Sequence, residues 1–97
     1  MKIIALEKEY PGKTAKDFEP HLKNEALKVH ELMQKDIIRE IYFRQDQSSA
    51  VLILECDSRE MAHDALNQLP LVENKLIEFE LIPLKPYPGF GRLLEEC

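Results

Sequence analysis

The chain has 97 residues, about one domain's length, and carries 13 Lys and Arg against 18 Asp and Glu, a formal charge of −5. That acidic balance argues against a nucleic-acid partner, and 44% hydrophobic with 32% charged residues is the composition of a folded protein. The longest apolar runs, Ile3 to Leu6 and Ala50 to Leu54, fall far short of the ~20 residues of a membrane span, and two cysteines make no disulfide framework, so a soluble, reduced, cytoplasmic protein with no membrane partner is expected.

Lys2 to Lys8 reads as a strand built on Ile3-Ile4-Ala5-Leu6 and closed by Tyr10-Pro11-Gly12. Thr14, with Asp17 three residues on, starts a glycine-free stretch to Lys35 that predicts the longest helix, irregular or restarting at Pro20. Ile37 to Arg44 and Ala50 to Cys56 predict a hairpin through the polar turn Gln45-Asp46-Gln47-Ser48-Ser49. Asp57 or Ser58 caps a second helix running to Gln68 and ended by Leu69-Pro70-Leu71, and Glu73-Asn74-Lys75 is a turn. Leu76 to Leu84 alternates as a last strand. From Lys85 the chain predicts an extended apolar tail, so 1–84 form the domain and 85–97 pack on it or on a partner subunit.

This order predicts an α+β, ferredoxin-like βαββαβ fold: a four-stranded antiparallel sheet with two helices on one face. The first and third strands, almost continuously apolar, suit its two central positions. Being apolar on both faces, they need cover beyond what two helices supply. A second copy of the chain is the expected source, giving a homodimer or higher oligomer built on a dimeric α/β barrel. The alternative is a partly solvated outer face.

On a helical wheel Phe18, Leu22, Ala26, Val29, Leu32 and Met33 share an apolar arc roughly 120° wide, and Glu25 falls inside it. A carboxylate facing a core has its pKa raised toward the range of general acid–base work, unless it reaches solvent or a lysine. His21 lies one turn earlier on the same side, either as a partner to Glu25 or as a solvated helix-edge histidine. A metal site needs a third ligand, and His30 and His63 show no convergence with this pair, so no metal is expected. Alternation groups Arg39 with Ile37, Ile41 and Phe43 on one face of the second strand, and Tyr42 with Ile38, Glu40 and Arg44 on the other. Arg39 suits either a substrate carboxylate or a glutamate across an interface, and Tyr42 either a pocket hydroxyl or simple packing. Cys56 reads as a small core residue.

Leu69-Pro70-Leu71, followed by the strand Ile77-Glu78-Phe79-Glu80-Leu81-Ile82-Pro83-Leu84, resembles the C-terminal half of the muconolactone isomerase family. The resemblance implies the dimeric barrel, no cofactor, and an isomerisation in aromatic catabolism that moves a double bond in an unsaturated lactone acid by proton transfer. Gap-free placement puts Glu25 on a helix glutamate and Arg39 on a strand arginine. The chain departs from the family in having no Trp and in its tail after Leu84, which implies a different ligand. The expected function is a cofactor-independent enzyme acting on a small cyclic carbonyl compound, with Glu25 as proton shuttle, Arg39 as carboxylate anchor, and His21 and Tyr42 as pocket partners. Its rivals are a non-catalytic dimeric binding or assembly module and a heme- or quinone-handling monooxygenase.

Overall fold

Nine regular elements follow one another in the computed structural model, which describes residues 1–95; Cys97 lies outside the described residues. They are β1 (Lys2–Glu9), α1 (Ala15–Phe18), α2 (Leu22–Gln34), β2 (Ile38–Phe43), β3 (Ala50–Glu55), α3 (Arg59–Leu66), α4 (Pro70–Glu73), β4 (Ile77–Pro83) and α5 (Gly91–Glu95). The strands form one antiparallel sheet in the order β2-β3-β1-β4, the ferredoxin-like arrangement with the two most apolar strands at its centre. Among the described residues no helix is long and apolar enough to cross a membrane.

Local chemistry sets the helix limits. The Thr14 N–H donates to Asp17 Oδ2 at 2.8 Å, and Ser58 Oγ accepts the Met61 N–H at 3.1 Å. Pro20 sits in a single 3₁₀ turn, Glu19–His21, which separates α1 from α2. The Leu-Pro-Leu segment does more than end α3: Pro70 occupies the first position of the short helix α4, where its missing N–H costs nothing.

Both helical connections enter the next strand through the same joint. Asp36 (φ 62°) and Lys75 (φ 60°) adopt the left-handed conformation. On either side of them Ile37 N–H donates to Leu32 O and Leu76 N–H to Leu71 O, each at 3.0 Å, the six-to-one bond of a Schellman cap.

Alternation along the strands divides the sheet into an inner and an outer face. Ile3 and Ala5 of β1, Ala50, Leu52 and Leu54 of β3, and Leu81 of β4 join Leu32 of α2 and Ala62, Ala65 and Leu66 of α3 in one core. Cys56 belongs to this core. Ile4 and Leu6 of β1, Val51 and Ile53 of β3, and Ile82 of β4 point outward, and none of them is fully buried. The register shifts between Ile38 and Glu40, a bulge that adds one residue to β2. It puts Ile38 opposite Leu54 on the inner face, followed by Ile41 opposite Leu52, with Arg39 as the extra residue. Strict alternation had grouped Arg39 with Ile41 and placed Ile38 on the opposite face; the bulge corrects both.

The helices pack unequally. The eight-residue α3 buries Ala62, Ala65 and Leu66, whereas the thirteen-residue α2 buries only Leu32. Small alanines make most of the contact of α3 with the core, whereas in α2 Val29 is only partly buried and Met33 is exposed.

The tail is not simply extended: Pro88–Phe90 form a 3₁₀ turn leading into α5. Tyr87 and Phe90 meet edge to face at 4.9 Å, and the Tyr87 ring leaves no room for a Cβ at Gly89. The chain reaches 61 Å along its longest axis with a radius of gyration of 16.3 Å, against about 13 Å for a compact domain of this length. Phe90, Leu93 and Leu94 stay exposed, Leu94 at 78%. Its own domain therefore leaves most of the tail's apolar surface uncovered.

Candidate functional site

Between α2 and the sheet lies a cavity of about 370 Å³. Val29 and Met33 of α2, Ile41 and Phe43 of β2, Leu52 of β3 and Phe79 of β4 make its walls apolar. Three polar side chains also line it: Glu7 from β1, and Glu25 and His30 from α2.

Glu25 is half-buried, and its Oε1 accepts the Leu71 N–H at 2.9 Å. Pro70 at the first position of α4 has no amide hydrogen, so Leu71 carries the first free N–H of that helix. The carboxylate from α2 satisfies it, and the Leu-Pro-Leu segment thereby orients Glu25. Burial pushes the Glu25 carboxyl above its ordinary range. The Leu71 N–H partly offsets this, and the nearby Glu7 charge adds to the rise.

Glu7 occupies an equivalent position on the sheet. The β1–β3 ladder ends at the pair Leu6 and Val51, and the next amide, Ala50 N–H, donates to Glu7 Oε1 at 3.1 Å. Burial raises the Glu7 carboxyl as well, opposed by the Ala50 N–H and reinforced by the charge of Glu9. Each carboxylate thus has Oε1 tied to the backbone. Among the described residues no protein donor reaches either Oε2. A second recess of about 360 Å³ shares Glu7, Leu22, Phe43 and Leu71 with the first and adds Glu9, Lys13 and Thr14. The cavity therefore continues outward toward the loop between β1 and α1, past the exposed ring of Phe43.

Of the side chains singled out in the sequence, Glu25 lines the cavity. His21 lies in the 3₁₀ turn before α2 and lines neither recess; the histidine beside Glu25 in the cavity wall is His30. Arg39, exposed in the bulge, donates from Nε to Asp36 O at 3.0 Å, and the exposed Tyr42 hydroxyl donates to Glu40 Oε1 at 2.5 Å. The structure brings neither of them to the cavity, because the bulge turns Arg39 out of the inner face and Tyr42 pairs with Val51 on the outer one. Glu7 was missed. Its signal was its position, two residues after Ala5 and four after Ile3, which puts it on the inner face of the strand. Among the described residues no three His, Cys, Asp or Glu side chains gather as metal ligands would.

No protein-family model matches the chain. No curated protein matches it either. Among solved structures it is similar to 5-chloro-2-hydroxyhydroquinone dehydrochlorinase from Burkholderia phenoliruptrix AC1100, in complex with 2,5-dihydroxybenzoquinone. The TM-score is 0.64 at 18% identity, over 92% of this chain and 98% of that one. The likeness is one of fold.

Proposed function

We propose that the chain is a cofactor-independent enzyme that moves a proton between two carbons of a small cyclic carbonyl compound, in the manner of muconolactone isomerases. One observation carries this reading: a carboxylate with a raised pKa, Glu25, faces an apolar cavity with one oxygen fixed by Leu71 and the other open. Glu25 Oε2 takes a proton from the carbon beside the carbonyl, and the resulting carboxylic acid returns it at the far end of the enolate. The Leu71 amide keeps the carboxyl from rotating between the two transfers. The raised pKa makes Glu25 a stronger base than an ordinary carboxylate. That a structural relative binds a hydroxylated ring supports a ring-shaped ligand.

A second copy of the chain completes the particle. The outer face of the sheet carries Ile4, Leu6, Val51, Ile53 and Ile82 at its centre, and the apolar tail extends beyond its own domain. Two outer faces packed together bury the first, and the partner gives the second a surface to lie on.

The probe is α-angelica lactone, whose ring carbon beside the carbonyl is acidic. Deuterium incorporation from heavy water, followed by NMR, is expected to be faster with the protein than without it, and Glu25→Gln is expected to remove about a hundredfold or more of that acceleration. Binding of the lactone with no exchange would replace the enzyme with a ligand-binding module.

A further inference from the structure

We infer that Glu7 and Glu25 together make the cavity selective for an uncharged ring with a hydrogen-bond donor for Glu7, and that they exclude ligands carrying a carboxylate on the ring. This rests on the cavity being the ligand site proposed above, and it narrows what that site accepts. The two glutamates come from separate elements, β1 and α2, and each has Oε1 anchored on a backbone amide, Ala50 or Leu71. The arrangement leaves two carboxylates, each with a second oxygen that no protein donor reaches among the described residues, in the wall of one apolar space. A hydroxyl on a flat ring can donate to Glu7 while the ring meets Val29, Leu52 and Phe79 and its reacting carbon is left to Glu25.

An anionic ligand finds the opposite. Two like charges in surroundings of low polarity repel it, and neither Lys nor Arg lines the inner cavity to offset them. Of the remaining titratable groups, His30 lines the inner wall, while Glu9 and Lys13 both line the outer recess. A ring carboxylate is therefore held back from the inner space. Arg39, the residue whose chemistry suits a carboxylate, lies outside the cavity.

The test compares two probes built on one ring system, naphthoresorcinol, a neutral diol, and naphthoic acid, which is ionised at the working pH. Binding is measured by calorimetry at about pH 8, well above the ordinary carboxylate range. The diol is expected to bind at least about tenfold more tightly than the acid, and Glu7→Gln, which keeps an acceptor for Ala50, to narrow that ratio severalfold. Naphthoic acid binding as tightly as the diol would overturn the selectivity while leaving the cavity as a ligand site. An unchanged ratio in Glu7→Gln would overturn the part assigned to Glu7. If neither probe binds and the lactone shows no exchange, the site itself falls, and with it both proposals.

Discussion

Glu25 and Leu71 are 46 positions apart, and a carboxylate oxygen of the first accepts the backbone N–H of the second at 2.9 Å. This bond joins the middle of the molecule's chemistry to one of its caps. It closes the start of α4 and, among the described residues, it fixes the one helix carboxylate that lines the cavity.

The two functions separate by substitution. Glu25→Gln keeps an oxygen for Leu71, so the fold should hold while proton exchange is lost. Glu25→Ala leaves the Leu71 N–H without that acceptor and should cost about 1–3 kcal/mol, read from chemical denaturation.

Stability should depend on pH in a direction set by Glu7 and Glu25. Both have folded-state values above the ordinary 4.5, so the folded state holds its protons more tightly than the unfolded chain. The stability they lend is fully present below 4.5 and is lost as pH rises through the raised values. The Glu7→Gln/Glu25→Gln double variant should therefore gain on the wild type at about pH 8 but not at about pH 4, by less than about 1 kcal/mol per site because the cavity's open side screens charge. Denaturation midpoints at the two pH values check the sign.

Lys75 holds a left-handed conformation that a side chain disfavours. Lys75→Gly should raise stability by about 1 kcal/mol, a rise of several degrees in Tm. Asp36→Gly should gain less, since aspartate tolerates this region better than lysine does.

Self-association is readable by sedimentation. A dimer is expected at micromolar concentration, and Ile53→Lys, at the centre of the outer face opposite Ile4, should shift it to an 11.3 kDa monomer with the sheet intact by circular dichroism. A wild-type monomer under the same conditions would remove the second copy from the proposal.

The architecture was legible because hydrophobic patterning and breakers agreed along the chain: continuous apolar runs for β1 and β3, Thr14 and Ser58 at helix starts, polar residues between β2 and β3. Glu25 was legible for the same reason, a charge inside an apolar arc. What failed did so where one residue changes the count. The bulge at Arg39 reverses the parity on which its face was assigned, and nothing in the local composition announces it. Glu7 was hidden differently: it sits toward the end of a strand where charge is ordinary, and its meaning comes from the cavity it lines together with residues of α2. The bond between Leu71 and Glu25 needed the tertiary structure, although Pro70 already showed which amide would be free.

The unequal seating of the two long helices has a dynamic corollary. With one buried side chain along its whole length, α2 is the less firmly held wall of this container, and α3, gripped by three, is part of its hull. Amide hydrogens of Asn24 to Met33 should exchange well before those of Ala62 to Leu66, so the helical wall of the cavity is its more yielding side while the open recess serves as its mouth.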